Sequence, residues 1–146
     1  MRGKGNGRGA GRYLYGMTKA EHIAYWRDTA DDDWADIQRS IGAGAYVHGL
    51  FFAHLVIEKL SKAHWVKDNE SSIPPRTHNI VKLWEATQLA PQPEHENIAA
   101  KLNDYQLEGR YPDYMKKLRA RTTAAYTTAL LTEIKTLRAW LLSTLP

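Results

Sequence analysis

The sequence predicts an all-α domain, folded as an antiparallel up-down bundle of four to five helices. Three observations support this prediction. Residues 46–67, YVHGLFFAHLVIEKLSKAHWVK, are apolar around the whole helical circumference, as in a buried helix, and contain no proline. No segment alternates apolar and polar residues for long enough to form a strand. Short polar or proline-containing connections separate the periodic segments, which is typical of sequential antiparallel helices.

The first predicted helix runs from about Lys19 to Ile41. Thr18 and Glu21 form a capping box, because the hydroxyl and the carboxylate can each accept from an amide of the first turn. Its apolar residues recur at helical spacing: Ile23, Trp26, Ala30, Trp34, Ile37 and Ile41. Two glycines, Gly42 and Gly44, end it. The second helix, Tyr46 to Lys67, is predicted to be the central, mostly buried one.

The second half of the chain contains more breaks. Residues 68–76, DNESSIPPR, form a predicted loop. Thr77 is expected to cap a third helix from His78 to Leu89. After two prolines, a fourth helix is expected from about Glu94 to Glu108, where Gly109 stops it. A fifth is predicted to start between Asp113 and Thr123 and to run to Leu145.

Composition predicts one domain, residues 17–146, preceded by a distinct arm. Residues 1–16 hold six of the ten glycines and four cations without an acid, so we expect a flexible Gly/Arg arm or a leader added for expression. The remaining residues carry sixteen cations and sixteen acids, so the net charge of +4 belongs to the arm. There is no cysteine, no apolar run near the length of a membrane span and no secretory signal pattern, so we expect a cytoplasmic protein.

The polar residues of the central helix are its unusual feature. His54, Glu58 and Lys62 recur every four residues and share one face. Two interpretations stay open, a solvated seam between helices and a polar face that lines a dimer interface or a site. No metal site is predicted here, because two ligands on one face are too few. The acidic run 31–33 is expected to be a solvated face, since three consecutive helical residues point about 100° apart.

Several short segments, in this order and spacing, resemble a HEPN domain, a small bacterial and archaeal helical module often encoded beside a minimal nucleotidyltransferase. The resemblance covers nearly all of residues 17–146. It rests on Tyr25-Trp26, Asp33-Trp34, Glu58-Lys59-Leu60-Ser61-Lys62-Ala63, Thr77-His78-Asn79-Ile80 and Arg110-Tyr111-Pro112. The resemblance implies an up-down helical bundle that dimerises, with a separate nucleotidyltransferase chain as partner, in some cases within a toxin–antitoxin pair.

The ribonuclease branches of this family use an Arg followed four to six residues later by a His, near the start of the last helix. This sequence has no His after His95, so the motif is absent. The closest Arg-His pair is Arg76 and His78, two residues apart. We therefore commit to no catalytic residue and keep metal-independent RNA cleavage by Arg76 and His78 as an alternative. A purely structural interaction bundle is a further alternative.

Other members of the family bind nucleotides, and the resemblance makes that the favoured function. The cationic groups of Arg110, Lys116 and Lys117 could bind a phosphate, and Tyr111 could stack on a base. Arg76 and His78 are expected to contribute to the same site. The competing interpretation is that Arg110 pairs with a carboxylate and Tyr111 packs in the core. A nucleotide or RNA is the expected ligand, and no cofactor is expected.

Overall fold

The computed structural model describes residues 16–146, and every regular element within them is a helix. The predicted arm lies outside the described residues except for Gly16. The six helices are α1 (Lys19–Gly42), α2 (Tyr46–Asp68), α3 (Ile80–Glu85), α4 (Pro93–Asn103), α5 (Pro112–Arg121) and α6 (Ala124–Ser143). The all-α prediction is confirmed. Within residues 16–146, no helix is both long enough and apolar enough to cross a bilayer.

Helix α2 is the centre of the domain, as predicted. It packs against α1, α3, α4, α5 and α6, and more than half of its residues are buried. Ile57 and Leu60 of α2 share one hydrophobic core with Ile134 and Leu137 of α6. Each of these four residues is at most 1% exposed. Burial on nearly all sides explains why its apolar residues surround the helix instead of forming one stripe.

Helices α1 and α2 form an antiparallel hairpin. At one end, the Lys19 Nζ atom donates to the carbonyls of Val66 at 2.8 Å and Asn69 at 2.7 Å, which stabilises the C-terminus of α2. At the other end, Gly49 lies against Ile41, and a Cβ atom on Gly49 would fall 2.6 Å from the Ile41 side chain. The turn between them contains Gly44, whose φ of +77° favours glycine.

Helices α4 and α6 complete the up-down arrangement. The ring of His95, at the start of α4, stacks on Trp140 near the end of α6 with centroids 4.0 Å apart. Lys101, near the end of α4, pairs with Glu133 in the middle of α6. These contacts make α4 antiparallel to α6. The His64 Nε2 atom lies 2.7 Å from the carbonyl of Leu141, so the C-terminal ends of α2 and α6 meet.

Two predicted helices are shorter in the structure. Helix α3 covers Ile80–Glu85 and is capped by Asn79, whose side chain accepts from the amide of Lys82, so Thr77 is not the cap. It ends early because the amide of Gln88 donates to the Asp68 side chain instead of continuing the helix. Helix α4 ends at Asn103 and not at Glu108.

The predicted last helix is two helices in the structure. The domain therefore has six helices among residues 16–146, and not the predicted four or five. Thr122 ends α5: its hydroxyl donates to the carbonyl of Leu118 and lies 2.7 Å from the Tyr105 hydroxyl. Thr123 then caps α6 by accepting from the amide of Tyr126. Two consecutive threonines that bond to the backbone therefore interrupt a segment whose apolar spacing looks continuous.

Candidate functional site

The polar face of α2 holds a buried carboxylate, Glu58, whose side chain is 6% exposed. Its Oε2 atom accepts from the Lys62 Nζ atom at 2.9 Å, and its Oε1 atom lies 3.0 Å from the His78 Nδ1 atom. The His54 Nδ1 atom lies 3.7 Å from the same Oε1 atom. Three titratable side chains, His54, Lys62 and His78, therefore surround the carboxylate, and we call the four residues the Glu58 cluster.

The burial of this cluster argues against one of the two interpretations of the polar face, the solvated seam. The side chains of His54, Glu58 and Lys62 are 1%, 6% and 11% exposed, so the face is not a solvated seam. The Lys62 Nζ atom also lies 5.4 Å from the ring centroid of Trp26, within the range of a cation–π contact. The other interpretation, a polar face at a dimer interface or site, stays a prediction.

The acidic run at residues 31–33 is only partly the predicted solvated face. Asp31 and Asp32 are exposed, and Asp31 pairs with Arg138. Asp33 contradicts the prediction, because it is buried and its Oδ2 atom lies 2.6 Å from the Lys59 Nζ atom. Asp33 therefore ties α1 to α2 beside the Glu58 cluster.

Two buried histidines are neutral in the folded protein. Burial lowers the pKa of His54, and this outweighs the raising effect of the Glu58 carboxylate. Burial also lowers the pKa of His64, against the opposing effect of its bond to the Leu141 carbonyl. Among residues 16–146, His54 has no hydrogen bond at either ring nitrogen, and His64 has none at Nδ1. A proton added to either ring would place a charge in the core, and burial disfavours the charged form.

The free energy of unfolding is therefore expected to fall as the pH drops below about 6.5. The unfolded chain binds protons at both histidines near that value, whereas the folded chain does so only at lower pH. The loss of unfolding free energy begins near the pKa of these histidines in the unfolded chain. It is complete below their lower pKa in the folded protein. Urea denaturation between about pH 5 and pH 8 measures it.

Matched variants separate this effect from the titration of carboxylates. His64→Gln should reduce the pH dependence, because it removes one buried titrating group. His48→Gln, at an exposed position of the same helix, should leave it unchanged. Equal pH dependence in the wild type and His64→Gln would contradict the assignment.

His78 connects the buried cluster to the surface. Its Nδ1 atom contacts Glu58, and its Nε2 atom lies 3.0 Å from the Glu108 Oε1 atom in the loop between α4 and α5. The phosphate-binding role predicted for His78 is not supported by this placement, because both nitrogens already have protein partners.

Arg110 and Tyr111 lie in the same loop, and neither has, within the described residues, the partner that the competing interpretation gives it. The guanidinium of Arg110 stacks on the ring of Tyr114 at 4.3 Å and donates to the carbonyl of Gln106. It pairs with no carboxylate among residues 16–146. Tyr111 does not pack in the core, since it is 81% exposed. The pair forms an exposed cationic and aromatic surface.

The other predicted phosphate ligands are exposed but not joined to Arg110. Arg76 lies in the loop before α3, and Lys116 and Lys117 lie on the outer face of α5 with Asp113. Within residues 16–146, no ion pair is formed by these three cations, and no contact links them to Arg110. The structure therefore places Arg110 and Tyr111 together and leaves Arg76, Lys116 and Lys117 as neighbouring surface charges.

Two functional acids were not predicted from the sequence. Glu108 contacts His78, and the Asp104 Oδ2 atom lies 3.1 Å from an Arg121 nitrogen. Both acids belong to the segment that leads to Arg110. Their partners are thirty and seventeen residues away, so no local spacing indicates the pairing. The carboxylate at residue 108, next to the glycine that begins the loop, was the one available signal.

These features define a class, a helical domain whose central helix carries a buried charged cluster linked to an exposed cationic loop. The model of the HEPN domain family matches residues 23–141, and the chain therefore belongs to the HEPN domain family. The match includes the Glu58 cluster and the Arg110 loop. Comparison with curated proteins and with solved structures returned no match.

Proposed function

We propose that this HEPN domain is a binding module that takes a phosphate-bearing ligand, a nucleotide or RNA, at Arg110 and Tyr111. The observation that carries the proposal is the exposed Arg110–Tyr111 pair, in which the guanidinium has no carboxylate partner among residues 16–146 and the ring is 81% exposed. An unpaired guanidinium binds phosphate through several N–H donors, and an exposed ring stacks on a base.

The electrostatics of the loop favour an anion. Asp104 is paired with Arg121, and Glu108 contacts His78, so both acids that precede Arg110 already have partners other than Arg110. Arg110 itself is stacked on Tyr114 and remains uncompensated. The positive charge of Arg110 is thus available to a ligand, although the domain outside residues 1–16 has no net charge.

The start of α5 adds donors to this surface. Tyr111 is its N-cap and Pro112 its first residue, and Tyr111 forms no side-chain cap bond. The amide of Met115 is the first of this helix to find a backbone acceptor, the Tyr111 carbonyl. The preceding amides of Asp113 and Tyr114 can therefore donate to an anion beside Arg110.

Substitution at this pair tests the proposed function. Arg110→Gln and Tyr111→Ala are each expected to weaken ATP or AMP binding about tenfold, measured by isothermal titration calorimetry. Both positions are exposed, so the midpoint of urea denaturation should not change. Arg119→Gln is the matched control, because Arg119 is an exposed arginine on α5, the helix that follows this loop.

The outcomes separate clearly. Equal affinity in the wild type and Arg110→Gln contradicts the proposed site, and equal losses in Arg110→Gln and Arg119→Gln indicate a nonspecific charge effect. A wild-type protein that binds neither ATP, AMP nor a short single-stranded RNA contradicts the proposed function and favours a purely structural bundle.

The partners follow from family membership and are part of the proposal. We propose a cytoplasmic homodimer that associates with a separate nucleotidyltransferase chain, in the manner of a toxin–antitoxin pair. Family membership supports this proposal. Light scattering tests the dimer: the mass of two chains is expected, and a mass of one chain contradicts it.

RNA cleavage by His78 is a second candidate that one observation favours. Buried Glu58 lies 3.0 Å from the His78 Nδ1 atom, and release of the Nε2 atom from Glu108 would leave a general base held by a carboxylate. His78→Ala would then abolish metal-independent cleavage of RNA. Intact RNA after long incubation with the wild-type protein contradicts this candidate.

A further inference from the structure

The loop that carries Arg110 and Tyr111 contacts the start of α3 through one surface pair, Glu108 and His78. Within residues 108–111 the other interactions are local: the amide of Glu108 donates to the Gln106 side chain, and Arg110 contacts Gln106, Leu107 and Tyr114. The pair of Glu108 and His78 is the described contact that links these residues to a distant part of the chain. Loss of that pair would leave residues 108–111 held through Leu107 and Tyr114, without a contact to the start of α3.

The pair of Glu108 and His78 is connected to the buried Glu58 cluster, because His78 belongs to both. His78 is held on its other side by Glu58, which is 6% exposed and also bound to Lys62. A chain of contacts therefore runs from α2 through His78 to Glu108. The exposed contact between His78 and Glu108 contributes little alone, because both groups are largely exposed. The contact between His78 and the buried Glu58 restricts where the imidazole can lie.

The charge of Glu108 makes this chain relevant to an anionic ligand. The Glu108 carboxylate is two residues from Arg110 and is 69% exposed. An unpaired carboxylate there would repel a phosphate and compete for the guanidinium. In the structure the Glu108 carboxylate contacts His78 instead, with its Oε1 atom 3.0 Å from the His78 Nε2 atom.

We propose that His78 is a positioning residue, which acts through Glu108 to hold the Arg110 loop in place and to keep the Glu108 carboxylate away from the ligand. This inference rests on the proposed binding function. It adds that His78, which does not touch the ligand, affects the affinity for the ligand through Glu108. It replaces the role of phosphate ligand that the sequence predicts for His78.

A double-mutant cycle distinguishes a positioning residue from a ligand. His78→Gln is expected to weaken ATP binding about threefold to tenfold, because it frees the Glu108 carboxylate. In a Glu108→Gln background the same substitution should change the affinity less than about twofold, since the group through which it acts is gone. An equal loss in both backgrounds means that His78 binds phosphate directly and overturns the proposal.

Hydrogen exchange tests the tether without any ligand. The amides of Glu108 and Arg110 are hydrogen-bonded and report on the loop. Their exchange should accelerate about threefold or more in both His78→Gln and Glu108→Gln. Glu85→Gln is the control, because Glu85 is an exposed glutamate on α3.

These readouts keep the two proposals apart. If the wild-type protein does not bind ATP but exchange accelerates as expected, the proposed function fails and the tether stands. If exchange is unchanged in Glu108→Gln, a surface variant that should fold normally, the tether is overturned whatever the ATP titration shows.

Discussion

Replacing Ile57 by alanine is expected to lower the free energy of unfolding by about 3 kcal/mol. Ile57 is completely buried on α2, in the core that also contains α6. The substitution removes three carbon atoms that surrounding helices can only partly replace, so a cavity adds to the lost transfer free energy. Urea denaturation followed by circular dichroism measures the change.

Ile73→Ala is the matched control for this prediction. The residue type is the same, but Ile73 lies in the loop before α3 and is 58% exposed. We expect a loss within about 0.5 kcal/mol. Similar losses for the two variants would contradict the central, buried position of α2.

Glu58→Gln is expected to lower the free energy of unfolding by about 3 kcal/mol. The substitution keeps the shape of the side chain but removes its charge, and it leaves Lys62, which is 11% exposed, without a compensating carboxylate. Breaking a buried ion pair is costly because the remaining charge stays desolvated. Glu85→Gln, at an exposed position, is expected to change the stability by no more than about 0.5 kcal/mol.

A second substitution checks the cause of that loss. Lys62→Met in the Glu58→Gln background removes the unpaired charge and should recover most of the stability, since neutral groups of similar volume often replace a buried pair without penalty. No recovery would indicate that the contact between Glu58 and His78 dominates. Comparison of the double variant with Glu58→Gln therefore separates the cost of the unpaired Lys62 charge from the loss of the contact between Glu58 and His78.

The first two helices could be predicted closely from the sequence, because their ends depend on local chemistry. The capping box of Thr18 and Glu21 is present in the structure, and α1 and α2 end within one residue of the predicted positions. The burial of α2 followed from apolar residues on every side. Such signals depend only on neighbours along the chain.

The later elements depended on distant contacts that local patterns do not contain. Thr122, at the break between α5 and α6, also contacts the Tyr105 hydroxyl, and the Asp68 side chain accepts from the amide of Gln88 after the end of α3. The burial of Asp33 likewise depends on Lys59 of another helix. Residue type favoured a solvated face there, and tertiary pairing overrode it.

The candidate site was predicted in part for the same reason. Arg110 and Tyr111 were found through a short family motif, and the structure leaves both exposed as a binding role requires. The link from His78 to Glu108 was missed because it spans thirty residues of chain. Lys116 and Lys117 were grouped with Arg110 from sequence proximity, but the helix directs them to its outer face.

Chemical-shift mapping by NMR tests the proposed binding site most directly. The wild-type protein, labelled with ¹⁵N, would be titrated with ATP and separately with a short single-stranded RNA. The proposal predicts saturable shifts concentrated at the amides of Arg110, Tyr111, Asp113 and Tyr114. Shifts confined to another surface, or none at millimolar ATP and saturating RNA, would contradict it.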